Sequence, residues 1–169
     1  MTRGSKGDVV FELLHPDARV PERATAGSSG YDLRAHLRCR SVRVRGSAGE
    51  ETREVGASGA LELAAGERAL IPLGFKATLP DGIEAQIRLR SSVAFRVGLL
   101  IPNAPGTIDP DYPDEWMVMV KNDGAVAVTI RHDERIAQAV LARFEDVAWR
   151  AGVVGRTTDR VGGVGSTGA

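Results

Sequence analysis

The chain has a single cysteine, Cys39, among 169 residues, so no disulfide can form within it. A reducing compartment, the cytoplasm, is the expected setting. Net charge is also missing, because 22 basic side chains balance 22 acidic ones. A long nucleic-acid track needs an excess of Lys and Arg, so no nucleic-acid partner is expected. A small cationic patch, enough for a few phosphates, stays open. Long apolar runs are absent too. Residues 9–14 are interrupted by Glu12 and too short for a signal sequence. Nothing approaches the roughly 18 apolar residues of a membrane span, so no membrane partner is expected. His15, His36 and His132 are scattered, and with one Cys and no His pair no zinc site is expected.

What is present is glycine, 20 residues of it, between short runs rich in Val and Ala. This composition suits short strands joined by tight turns. Apolar residues make up 43% of the chain, enough for one domain with a real core. Residues 83–90 alternate strictly: Ile83, Ala85, Ile87 and Leu89 take one face, and Glu84, Gln86, Arg88 and Arg90 the other. Arg90 should therefore point away from the core. Residues 41–45 and 115–121 alternate in the same way, and 126–130 read as a further strand. Residues 93–97 suit one helical turn. The stretch 135–144 fits either a helix or a strand, and the surrounding rhythm favours the strand. Residues 46–59, rich in Gly, Ser and Glu, read as the tip of a surface hairpin. Many short strands at close spacing predict an all-β sandwich or jelly roll. The domain should span 1–150, followed by a Gly-rich arm at 151–169 that cannot bury much by itself.

Several constellations carry chemistry. Arg90, Ser91 and Ser92 end a strand and begin a turn, and their guanidinium, hydroxyls and N–H groups suit phosphate oxygens. The alternative is a strand end with Ser capping the helical turn. In extended chain, the carboxylates of Asp109 and Asp111 would share a face, and one could take a proton from an attacking water. Asp-Pro-Asp is equally a turn. Tyr112 could lie against a sugar, or be an ordinary strand aromatic. Asn103 carries the donor and acceptor needed to read a base edge, though Asn is also common before a Pro-Gly turn. Gln138 either binds a phosphate or faces solvent. Arg160, Ser166 and Thr167 lie among flexible glycines that can wrap phosphates, or form a plain terminus.

In order along the chain, residues 26–33 (AGSSGYDL), 90–94 (RSSVA), 103–112 (NAPGTIDPDY), 134–138 (ERIAQ) and 162–168 (GGVGSTG) resemble the five motifs of the trimeric dUTPase family. The likeness runs from about residue 24 to the end. It implies a distorted jelly-roll subunit with a flexible C-terminal arm, and a homotrimer whose sites are each built from all three chains. It also implies hydrolysis of dUTP to dUMP and pyrophosphate with Mg²⁺ as cofactor.

By this resemblance, Asp109 orients and deprotonates the water that attacks the α-phosphate, and also bonds the 3′-hydroxyl. Tyr112 stacks on the deoxyribose. Asn103 and the backbone of a hairpin at 104–108, including Gly106, Thr107 and Ile108, read the uracil edge. Met117 lies beside the base and sugar. Arg90, Ser91, Ser92 and Gln138 bind phosphates. Arg160, with Arg156 as its alternative, meets the γ-phosphate. Val164, Gly165, Ser166 and Thr167 close over the substrate. Asp32 touches the metal only through water. The chain departs from the family where Ser92 stands for Gly, where Val164 stands for a stacking aromatic, and in an added stretch at 38–61, read as an extra hairpin away from the chemistry. Two rivals share the scaffold. A dCTP deaminase needs an acid on the strand after the hairpin, where residues 116–120 (WMVMV) have none and Glu115 comes too early. A nucleotide-responsive binding protein would need no general base.

Overall fold

A computed structural model describes residues 7–159. The elements are β1 (Val10–Leu13), β2 (Glu22–Arg23), β3 (Tyr31–Arg34), β4 (Arg40–Gly46), β5 (Gly49–Val55), β6 (Ala60–Leu63), β7 (Arg68–Pro72), β8 (Phe75–Thr78), β9 (Ile83–Leu89), α1 (Ser91–Val97), β10 (Leu99–Leu100), β11 (Gly106–Ile108), β12 (Met117–Asn122), β13 (Val128–Arg131) and β14 (Arg135–Arg143). Pairing is antiparallel. One sheet runs β10-β12-β7-β4-β5 and the other β11-β9-β14-β3-β2, with the small pairs β1-β8 and β13-β6 beside them. This is the expected all-β jelly roll.

The strands follow from two-residue alternation. In β4, Val42 and Val44 are buried while Ser41, Arg43 and Arg45 stay in water; in β12, Val118 and Val120 are fully buried. Their partners in the core include Leu33, Leu63, Ile71, Phe75 and Ile136. The ambiguous stretch after Glu134 is strand β14, because it fills the gap between β9 and β3 and hydrogen-bonds to both. A helix would leave β9 and β3 each with one unpaired edge.

Several expectations need correction. Residues 46–59 are not mainly a hairpin tip. Half of them form β5, with the reversal confined to Ser47 and Ala48 between paired Gly46 and Gly49. Ion pairing of Arg43 with Glu50 (2.7 Å) and burial of Val55 hold β5 against β4. Residues 104–108 do not form a hairpin of paired strands. Here β10 pairs with β12 and β11 with β9, so the intervening turn carries the chain from one sheet to the other. Of the two readings open for Asp109-Pro110-Asp111, the extended one does not hold. Tyr112 N–H bonds the Asp109 carbonyl at 3.2 Å, so the turn reading prevails and the two carboxylates do not share a strand face. Finally, the residue flanking the start of α1 is Arg90, and no side chain caps that helix.

Candidate functional site

Three adjacent strands gather one group of predicted residues. Asp32 on β3 stands in register with Gln138 on β14, and Gln138 with Arg88 on β9, two residues before Arg90. The Asp32 carboxylate is largely buried, with a side-chain exposure of 15%. It pairs with Arg90 Nε at 3.2 Å and Arg135 Nη1 at 3.0 Å. Arg90 also donates to the Arg135 carbonyl at 3.4 Å. Two guanidinium groups held over one carboxylate leave a local positive excess in a chain of zero net charge, which suits an anion. Ser91 and Ser92 are exposed at the start of α1, where first-turn N–H groups lack helical partners. Gln138 is half-buried and its Nε2 reaches the Leu89 carbonyl at 3.5 Å. Gly30 lies directly beneath it, where an added Cβ would collide with the Gln138 amide.

A second group sits on the turn before β11 and the loop after it. Gly106 is buried, and a Cβ there would come within 3.3 Å of Ile87 and 3.5 Å of Asn103 Nδ2. The absent side chain leaves room for Asn103 and Ile87 to approach closely here. Asn103, Thr107 and Asp109 are exposed, Ile108 is buried, and Tyr112 is half-buried against the core. Met117 is 38% exposed at the start of β12.

The two groups do not meet at Asp109 within one chain. Ile108 pairs with Ala85, so continuing the register puts Asp109 level with Glu84, six residues from Arg90 along β9. At about 3.3 Å per residue that is roughly 20 Å. Arg160, Val164, Gly165, Ser166 and Thr167 lie outside the described residues. Arg156 is exposed.

A match to known proteins accompanies this arrangement. Residues 45–168 match the family model described as dUTPase. The chain belongs to the dUTPase family. It is 40% identical over 160 residues to the deoxyuridine 5′-triphosphate nucleotidohydrolase of Treponema pallidum subsp. pallidum, covering 94% of this chain and 97% of that protein. The corresponding enzyme of Neorickettsia sennetsu is 37% identical over 153 residues, covering 90% of this chain and 89% of its relative. The crystal structure of dUTPase from Streptococcus mutans superposes with a TM-score of 0.63 at 28% identity, covering 82% of this chain and 98% of that one.

Sequence reasoning missed one cluster in this dUTPase-family chain. Ligand atoms of Asp17, His36 and His132 lie within 4.8 Å of one another, and His15 stacks on His36. The hydrogen bonds fix the tautomers. Arginine only donates, so Arg40 Nη1 at 3.1 Å makes His36 Nδ1 an acceptor. The Leu37 N–H does the same to His132 Nδ1 at 3.1 Å. Both rings therefore carry hydrogen on Nε2; His36 donates it to Asp17 at 2.8 Å, and His132 Nε2 lies 3.3 Å from the same carboxylate. A metal-bound histidine needs an acceptor, not a donor, at its outer nitrogen. The cluster is a hydrogen-bond network and does not fit a metal. No local spacing pointed to it, because its members come from distant parts of the chain.

This network sets an acid limit. Burial, reinforced by Arg38 and His36, pushes the His132 pKa down, against Asp17 and Asp133. The unfolded chain then takes up this proton first, so the contribution is full above about pH 6.5 and is lost as pH falls toward the folded value. The hydrogen bond from His36 lowers the Asp17 pKa, a contribution lost as pH falls through that lowered value. The melting temperature should fall as pH drops from about 7 to 5. A His132→Asn variant should show a flatter dependence; an equally steep one would remove His132 from the acid response.

Proposed function

We propose that this chain hydrolyses dUTP to dUMP and pyrophosphate, with the dUTPase-family motifs in the roles that their positions imply. The observation that carries the reading is the separation of its parts. Asp109 follows Ile108, which pairs with Ala85 near one end of β9, whereas Asp32 and Gln138 stand level with Arg88 near the other end, beside Arg90 and Arg135. A general base set this far along β9 from the phosphate group of its own chain suits a site shared between chains.

Asp109 is solvent-accessible, as a general base must be. Its carboxylate takes a proton from water as the water oxygen bonds to the α-phosphorus. The bond from that phosphorus to the bridging oxygen breaks, and pyrophosphate leaves with the electron pair. Tyr112 packs the deoxyribose. Asn103 and the backbone at Gly106, Thr107 and Ile108 read uracil, in a pocket too narrow for the thymine methyl and with the wrong pattern for cytosine. Met117 borders the base. Arg90, Ser91, Ser92 and Gln138 hold phosphates. Arg160, or Arg156, meets the γ-phosphate, and Val164 to Thr167 close over the nucleotide as part of an arm at 151–169.

The donor set near Asp32 bears on Mg²⁺. Both of its carboxylate oxygens already face guanidinium groups, so it suits contact through water and not direct ligation. That fits a hard ion held by phosphate oxygens and water, which would neutralise charge on the leaving pyrophosphate.

A homotrimer is supported by what lies uncovered. Every described residue from Phe144 to Asp159 is exposed, with Trp149 at 97%, a state that apolar side chains rarely keep in isolation. A groove of about 860 Å³ lined by Phe11, Val20, Tyr31, Phe75, Trp116 and Leu141 is also open. We place the protein in the cytoplasm from its lone cysteine; among the described residues no helix is long and apolar enough to cross a membrane.

The deaminase rival is disfavoured by Glu115, whose carboxylate is occupied by Arg40 and the Gly74 N–H and is not free to shuttle protons. The deciding assay supplies dUTP or dCTP with Mg²⁺ and follows both pyrophosphate and ammonia. Pyrophosphate from dUTP is the expected product. Ammonia from dCTP would replace this reading with the deaminase. Binding without either product would leave only a nucleotide-responsive protein.

A further inference from the structure

The loop between β11 and β12 carries Asp109 and Tyr112, yet little of its backbone is tied down. Pro110 and Pro113 have no N–H, and Asp111 and Asp114 are exposed. Its anchors are at its far end, where buried Trp116 donates its backbone N–H to the Phe75 carbonyl at 2.9 Å and its carbonyl accepts from Leu73 N–H at 3.1 Å, and where Glu115 adds a side-chain tie. The Glu115 side chain is 12% exposed and accepts three hydrogen bonds. These come from Gly74 N–H at 2.7 Å, Arg40 Nη1 at 3.1 Å and Arg40 Nη2 at 2.6 Å. Tyr112 Oη reaches back to the Glu115 carbonyl at 3.4 Å, which links the ring to the same residue.

Arg40 is itself aimed. Its Nη1 also contacts His15 Nε2 at 3.0 Å and His36 Nδ1 at 3.1 Å, and His36 is held in turn by Asp17. Gly74 adds a steric constraint: its φ is +77°, and a Cβ would come within 2.7 Å of Ala18 and 2.8 Å of His36. A paired, desolvated carboxylate and guanidinium contribute little net stability over apolar packing. What a bidentate pair supplies is direction. Arg40 opens the β4–β5 hairpin, so the base of the added stretch at 38–61 reaches the loop that carries Asp109.

We propose that Arg40 and Glu115 are positioning residues for dUTP hydrolysis, fixing the 109–116 loop so that Asp109 and Tyr112 keep their places. The inference rests on the roles assigned above to those two residues. Neither Arg40 nor Glu115 touches the nucleotide. They act by holding the loop against β4 and the β7–β8 turn.

The test compares the parent with Arg40→Met, Glu115→Gln and the double variant, measuring kcat and KM for dUTP together with the melting midpoint. Arg40→Met leaves a buried carboxylate without its cation, so its midpoint should fall. Adding Glu115→Gln removes that charge, so the midpoint should recover. The kcat should not recover: it should stay roughly tenfold or more below the parent, since misplacement by about 1 Å can cost on the order of 10²-fold. The change in KM should be the smaller of the two. A merely structural pair would restore rate and midpoint together, and a double variant with parental kcat overturns the proposal. Should the double variant stay unstable, Glu115→Gln alone decides the matter at a temperature where it is fully folded. There, parental kcat overturns the proposal, and a loss of about threefold or more supports it. A parent that releases no pyrophosphate from dUTP would instead overturn the functional reading itself.

Discussion

Asp109→Asn should lower kcat for dUTP hydrolysis by roughly 10²–10⁴-fold while leaving the fold unchanged, the range expected when a positioned general base is lost. The substitution keeps size but exchanges one acceptor oxygen for an NH2 donor, so the basic carboxylate is lost. Asp109 is exposed on a turn closed by its own carbonyl, so its side chain contributes nothing to the core. Binding of a non-hydrolysable dUTP analogue should therefore survive, with the loss confined to the chemical step. Single-turnover release of pyrophosphate, read against analogue affinity by calorimetry, separates the two. Retained turnover would take Asp109 out of the mechanism and move the search for a base to another exposed acid, such as Asp111.

Asn122→Leu should cost about 3–5 kcal/mol of folding stability, from the polar groups that it strands. Asn122 is fully buried at the end of β12. Its Nδ2 donates to the Leu63 carbonyl at 3.0 Å and the Val126 carbonyl at 2.8 Å, and its Oδ1 accepts from Gly124 N–H at 3.0 Å. One side chain thus ties β6 and the 123–127 turn to β12. Leucine keeps the branching but has bulkier methyl groups, and it leaves two carbonyls and one N–H facing an apolar side chain. In urea the unfolding midpoint should fall with little change in slope, because the surface exposed on unfolding is nearly the same. A loss under about 1 kcal/mol would mean that these groups find other partners at little cost.

Much of the fold was legible because strand patterning is local. The alternation in 83–90 and 115–121 needs only neighbouring residues, and β9 and β12 form there with the expected faces inward. The short helical turn after Arg90 is also where the spacing placed it. The ambiguous stretch 135–144 was decided by its surroundings: residues from Arg135 to Arg143 are sheet because β9 and β3 flank them. Residues 46–59 were read as a hairpin tip because Gly and Glu disfavour strands, and cross-strand pairing overrode that preference. The Asp109-Pro110-Asp111 segment was open to an extended form or a turn, and the turn chemistry of its own residues decided it.

The candidate site divides along the same line. Residue type and order along the chain were enough to pick out Asp32, Arg90, Asn103, Asp109, Tyr112 and Gln138. Pairing register then put Asp109 and Arg90 at opposite ends of β9, and packing brought Asp17, His36 and His132 to one point beside Arg40 and Glu115. The amino-acid sequence by itself determined the strands with clear alternation, motif order and the dUTPase-family chemistry, since these depend on side chains a few residues apart. Only the tertiary structure decided which sheet each half of the 99–108 segment joins, what holds the Asp109 loop, and where the histidines meet. Those outcomes depend on contacts between residues far apart in the chain, whose distances are set when the two sheets close on a common core.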